Sequence, residues 1–214
     1  EREAICVKEV KEGRRDGLKE KIVRVRSRGE KELEVNIKRK YEIHMWRELK
    51  EDGSEFDITK KGTEKKNVRR AEKGIDIVGQ DTDGSVNPID LGMNWMLSVD
   101  KDYLGKRSLS RPDAERDGRK QLVGLRSVDA TTVLGEGAQL IDQRRAEKPV
   151  PMCGHVTSSY ASACLGHPIA LAMVVNGRAR KGDRIFAAAS DGSTVPVEIG
   201  SPVFYDPKGE RQNV

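Results

Sequence analysis

From position 121 onward, short runs of strand-forming residues recur at steady spacing: 121–126, 138–141, 154–159, 169–175, 184–189, 195–199 and 202–205. Turn residues separate them, at Gly135-Glu136-Gly137, Asn176-Gly177, Lys181-Gly182-Asp183 and Asp191-Gly192-Ser193. Several short strands punctuated in this way predict a small antiparallel barrel or sandwich. A charged stretch over 111–120, containing Pro112 and Gly118, reads as the linker that precedes it.

The N-terminal part has a different texture. Ile22, Val23 and Val25 are interleaved with Arg24 and Arg26, and Leu33, Val35 and Ile37 with Glu34 and Asn36. Period two on both sides of Gly29-Glu30 predicts a β-hairpin with Leu33, Val35 and Ile37 inward and Glu34 and Asn36 on the other face. A helix is expected over 41–50, with Met45, Trp46 and Leu49 as its stripe and Gly53 as its stop. A second runs over 63–73, capped by Thr63 and ended by Gly74. Only Val68 and Ala71 give that helix an apolar face, so something else must cover it. Residues 95–99 read as a further strand.

The chain has 214 residues with 35% charged and 36% hydrophobic. These values fit a folded soluble chain of one large or two small domains. No apolar run approaches the roughly 20 residues that span a bilayer, so no membrane partner is expected. The start at Glu1 has no initiator Met and no apolar leader, as expected of a piece of a longer protein without a signal peptide. Three cysteines are too few for a disulfide framework, which favours a reducing, cytoplasmic setting. Residues 1–75 carry 23 Lys/Arg and 17 Asp/Glu, while the rest of the chain is nearly balanced. The two signs alternate finely, so a solvated surface is favoured over a basic nucleic-acid-binding face.

Several constellations have the residue types for chemistry. Cys153, His155, Cys164 and His167 form a two-Cys, two-His set, but their spacing is poor for zinc, and no metal is expected. Ser158, Ser159 and Ser162 lie near His155 and His167 in sequence without a nucleophile elbow. No Gly-x-Gly-x-x-Gly or phosphate-loop run is present, so no flavin or nicotinamide site is visible. Glu34 stands apart. A carboxylate on a rigid strand can accept two hydrogen bonds from the amide and amine edge of a pterin-like heterocycle. The plainer reading is an exposed strand glutamate paired with Arg24 or Arg26 across the hairpin.

Arg70-Ala71-Glu72-Lys73-Gly74 followed by the run from Ile77 to Gly84 resembles the α subunit of heterotetrameric sarcosine oxidase. So do the runs from Leu104 to Leu109 and from Gly154 to Ser159, then Leu165-Gly166, the run from Ile169 to Ala172, and that from Pro202 to Pro207. The order and spacing match that family's C-terminal folate-binding region, which is similar to the glycine cleavage T-protein, an aminomethyltransferase. The resemblance implies an α+β architecture in which 1–110 is the second half of a folate-binding domain and 120–214 a T-protein-like C-terminal barrel. It implies that Glu34, on the strand after a Gly-Glu turn, holds the pterin. The implied function is acceptance of a one-carbon unit onto tetrahydrofolate during oxidative demethylation of sarcosine, with folate and the other parts or subunits of the oxidase as partners.

The resemblance also implies that the family's catalytic aspartate, on its first half-domain, would lie before Glu1. This chain alone is therefore expected to be inactive, with no catalytic residue assigned and folate binding weak or lost. Lys66 replaces an Arg of the T-proteins, and Lys61 and Arg69 stand where the family tends to be apolar. These departures suit the alternative of a non-catalytic, soluble scaffold fragment. A related iron–sulfur assembly branch is not matched, because the run from Lys73 to Gln80 lacks its Cys.

Overall fold

The computed structural model describes residues 10–15, 18–27, 30–144 and 149–212, with side chains from Asn36 onward apart from Glu115 and Gln212. The chain divides into two compact units, one formed by 1–66 with 208–214 and the other by 67–207.

In the first unit, three antiparallel strands pair in sequence order: β1 (Val10–Arg15), β2 (Leu18–Ser27) and β3 (Glu30–Asn36). The expected hairpin is β2–β3, closed at Ser27 and Glu30. Its inward and outward faces rest on side chains outside the described residues, apart from half-buried Ile37 and exposed Asn36. Helix α1 (Glu42–Asp52) follows and buries only Met45. Gly53 ends it by accepting the shape of the next turn: its N–H bonds back to Leu49 O at 3.1 Å.

The second unit is built on a closed six-stranded antiparallel barrel. Its strands are β4 (Lys120–Ser127), β5 (Gln139–Ile141), β6 (Gly154–Ser162), β7 (His167–Val175), β8 (Arg184–Ala188) and β9 (Thr194–Gly200). Around the barrel the order is β4-β7-β6-β5-β8-β9, with β9 returning to β4. Closure leaves no free sheet edge. Strand β7 is apolar at every position from Pro168 to Val174 because both of its faces are covered. Ala170, Ala172 and Val174 fill the barrel with Val123, Leu125, Val156, Ile185, Val197 and Ile199. Ile169, Leu171 and Met173 face outward into a second layer with Leu122, Tyr160 and Ala71.

Ala71 belongs to α2 (Thr63–Glu72), the helix bracketed by Thr63 and Gly74. Its C-terminal turn buries Arg70, Ala71 and Glu72 against the barrel unit. Two short helices, α3 (Lys106–Leu109) and α4 (Pro112–Glu115), precede β4. Residues 95–99 do not form the expected strand: Asn94–Met96 is a single 3-10 turn, and no strand pairing among the described residues includes 95–99. Residues 202–205 are not a strand either. Both Phe204 N–H and Tyr205 N–H donate to the one carbonyl of Glu72 at 2.9 Å, and Glu72 is the last residue of a helix, not of a strand. This segment is a strap across the end of α2.

Candidate functional site

The sequence directs attention to three places: the hairpin with Glu34, the Arg70–Gly74 run with its companions, and the Cys/His/Ser set around β6. Glu34 lies on β3, at the edge of the three-stranded sheet, opposite Val23. Its side chain lies outside the described residues. Arg24 stands opposite Leu33 and Arg26 opposite Lys31, so neither arginine is the cross-strand partner of Glu34. The plain hairpin pairing expected for Glu34 is thus out of register.

The Arg70–Gly74 run is the polar centre of the second unit. Arg70 is 2% exposed and Asp81 1%. Their side chains form an ion pair through Arg70 Nη1 and Asp81 Oδ2. Asp81 also accepts from Ile77 N–H at 2.8 Å, Ser158 Oγ at 2.6 Å and Thr157 Oγ1. Arg70 Nη2 donates to Ser158 Oγ at 2.7 Å and Tyr160 OH at 3.1 Å, and the guanidinium lies over the Tyr160 ring. Successive strand residues normally point to opposite faces. Thr157 and Ser158 both reach Asp81 because the register slips between Val156 and Ser158, a bulge that re-aims one side chain.

The rest of the run is equally occupied. Glu72 accepts from Ser162 Oγ at 2.6 Å, and Lys73 Nζ pairs with Asp206 at 2.8 Å. Gly74 has φ +68°, and a Cβ there would meet Pro202 O at 2.5 Å. A Cβ on Gly124 would lie 2.1 Å from Ser201 O. The strap therefore passes where only glycines let it. Every hydroxyl and carboxylate of this cluster holds α2, β6 and the strap together, and only Arg70 Nε within it lacks a bond. The arrangement is a clasp. Ser158, with its proton on Asp81 and its lone pair facing Arg70, is not poised as a nucleophile.

The Cys/His set is divided by the β6–β7 hairpin. His155 pairs with Met173 near one end, while His167 pairs with Ser162 at the other. Six steps along β7 separate Met173 from His167, about 20 Å along a strand. Cys153 is buried at the His155 end, and Cys164 is exposed beyond Ser162. The four residues do not converge on one ion. Burial pushes the Cys153 thiol up, as an inert core cysteine requires.

An open cleft of about 570 Å³ lies at the His155 end of the barrel, between the 79–87 turn and the 108–120 segment. His155, Lys120, Asp83 and Asn87 line it. Burial and then the Lys120 charge hold His155 below its ordinary value, with Asp83 opposing them. Hydrogen bonds from Ser85 hold Asp83 below the usual carboxylate range. Nothing in the periodicity of the sequence points to this cleft, because it is assembled from turn residues.

Residues 1–101 match the GCVT N-terminal domain, and residues 120–206 match the glycine cleavage T-protein C-terminal barrel domain. The sarcosine oxidase subunit alpha of Corynebacterium sp. (strain U-96) is 43% identical over 92% of this chain and 20% of its own length. That of Rhizobium meliloti (strain 1021) is 33% identical over 90% of this chain and 20% of its own. The chain thus spans about one fifth of these relatives. An aminomethyltransferase of Thermotoga petrophila is 28% identical over 88% of this chain and 49% of its own length. Among solved structures, glycine cleavage system aminomethyltransferase T from Bartonella henselae superposes with a TM-score of 0.68 at 20% identity, over 88% of this chain and 50% of that one, a likeness of fold. With both domains matched in order, the barrel closed and the Arg70–Gly74 run docked against it, the chain belongs to the glycine cleavage T-protein-like family, on the branch that includes the alpha subunit of sarcosine oxidase.

Proposed function

We propose that this chain is the folate-handling region of a sarcosine oxidase alpha-like subunit, where tetrahydrofolate accepts the one-carbon unit released from sarcosine. The observation that carries the reading is the 43% identity to such subunits across both matched domains. Tetrahydrofolate supplies the nitrogen nucleophiles that take up the carbon. Glu34 is the residue of this chain assigned to hold it. The fit is chemical: the pterin edge offers adjacent amide and amine donors, and a carboxylate anchored in a paired strand accepts both with little loss of its own freedom. The remaining parts of the oxidase would be its partners, in the cytoplasm.

One observation favours a second reading, a scaffold region without its own catalysis. The polar residues of the Arg70–Gly74 run are consumed in packing, which leaves that run no proton to move and no open position for substrate.

Titration of tetrahydrofolate into the wild type and Glu34→Gln, at low and moderate salt, separates the two. The folate reading expects binding in about the millimolar range, weakened about ten- to hundredfold by the substitution, since losing one charge-assisted bond costs about 1.5–3 kcal/mol. Equal binding by both proteins removes Glu34 from the site, and binding that vanishes with salt in both leaves the scaffold reading.

A further inference from the structure

The connection between β7 and β8 carries a chemically reactive pair. The chain has six asparagines, and only Asn176 is followed by glycine. A following glycine leaves the peptide nitrogen unshielded, so an Asn-Gly step is where the main chain most readily attacks an asparagine side chain. The fold needs both residues. Asn176 has φ +51°, a left-handed conformation that asparagine tolerates better than most side chains. A Cβ on Gly177 would lie 2.7 Å from Val123 Cγ1 and 3.1 Å from Val174 Cβ, both in the barrel core.

In the closed structure the pair is held at three atoms. Asn176 Oδ1 accepts from Gly118 N–H at 3.0 Å. Asn176 N–H donates to Arg119 O at 3.0 Å, and Gly177 N–H, the group that would attack, donates to Val174 O at 3.0 Å. Asn176 is itself exposed, so water reaches it. The 118–119 segment is fastened in turn by the Arg119 side chain, which is only 13% exposed. Its Nε donates to Asp90 Oδ1 at 2.9 Å and its Nη2 to Ser85 O at 2.7 Å.

We infer that Asn176 is a deamidation site gated by the 118–119 segment, closed while Gly118 holds its side chain and open when that segment lifts. In the open state the Gly177 nitrogen gives up its proton and bonds to Asn176 Cγ, and the side-chain nitrogen leaves as ammonia. Water then adds to either carbonyl of the resulting five-membered imide, giving aspartate or isoaspartate. Isoaspartate routes the main chain through the former side chain and so adds one carbon to the β7–β8 connection. The bonds to Arg119 O and Val174 O then no longer fit together, and a transient opening becomes a permanent one. The site is independent of the folate reading, since it uses no residue of the first unit.

The full chain is incubated at mildly alkaline pH, native and in guanidinium chloride, and the peptide containing Asn176 is followed by mass spectrometry. The amide-to-acid mass change separates this reaction from isomerisation at the Asp-Gly steps, which leaves mass unchanged. The native chain is expected to react at Asn176 about a hundredfold more slowly than the unfolded one, as for a segment that must open locally. Arg119→Gln unfastens the 118–119 segment and leaves the Asn-Gly pair intact, so it is expected to raise the native rate about tenfold. Hydrogen exchange at Gly118 N–H and Asn176 N–H of the wild type gives the open fraction directly, and that fraction is expected to match the ratio of native to unfolded rates. This measurement decides the matter if Arg119→Gln fails to fold. The inference is overturned if the wild type reacts at the unfolded rate, or if folded Arg119→Gln reacts no faster than the wild type. It is equally overturned if open fraction and rate ratio differ by more than about tenfold.

Discussion

On β7, Ala170, Ala172 and Val174 fill the barrel while Ile169, Leu171 and Met173 fill the layer outside it, and all six are at most 2% exposed. On α1, Ile43, Trp46 and Leu49 are 68%, 51% and 44% exposed, and the turns after it leave Phe56 at 78% and Ile58 at 55%. The two regions have similar apolar content but dispose of it differently. The barrel owes its stability to burial on two faces and a polar clasp. Helix α1 has one buried side chain and gains little from the rest. Substitutions should therefore be felt strongly in one region and barely in the other.

The most damaging change is expected at Arg70. Arg70→Met leaves the Asp81 carboxyl buried and without its counter-ion. Breaking a buried pair from one side costs about 3–5 kcal/mol, read as a lower denaturant midpoint for the barrel. Gly124→Ala comes next. Its methyl would collide with the backbone of Ser201 and the ring of Phe204, and the strap must lift, at a cost of about 1–3 kcal/mol. An intact midpoint in either variant would mean that the clasp is not what holds the barrel unit together.

A smaller effect follows from His155. Its folded-state value lies below the ordinary 6.5, so the unfolded chain takes up the proton first. The contribution is fully present above 6.5 and lost as pH falls from there through the folded value. His155→Gln should flatten the stability profile in that window and leave it unchanged above. The smallest effect belongs to α1: Trp46→Lys is expected to stay within about 0.5 kcal/mol of the wild type. A loss comparable to Gly124→Ala would show that the Trp46 face is covered in solution.

The barrel strands were legible because turn residues mark their ends and closure then leaves little choice. The strand at 202–205 was misread for a physical reason. Alternation identifies residues that can extend, but only the Glu72 carbonyl decides where Phe204 and Tyr205 bond. The run at 95–99 has suitable residues and joins no strand pairing among the described residues. Helix α2 was legible by its ends but not by its face. A periodicity argument counts Arg70 and Glu72 as solvent-facing, whereas both are buried on partners more than 85 positions away. Glu34 was visible as a strand carboxylate, yet its assignment to a pterin came from the family resemblance and not from any pattern around it. The cleft at the His155 end of the barrel left no trace, since Asn87, Lys120 and His155 come from three separate segments.

The polar character of α2 bears on how the chain assembles. Arg70 finds Ser158 and Tyr160 at separations of 88 and 90 residues, and Lys73 finds Asp206 at 133. During synthesis from the N-terminus, α2 must wait until β6 and the strap have emerged before it can dock. A helix held by a broad apolar face would wait as an adhesive surface, open to association with other chains. This one waits with arginine, glutamate and lysine in water, and only Val68 and Ala71 to hide. The long-range contacts still make closure slow, because distant segments must meet before any of these bonds forms. The delay carries little hazard, since the late-docking element is hydrated until its partners arrive.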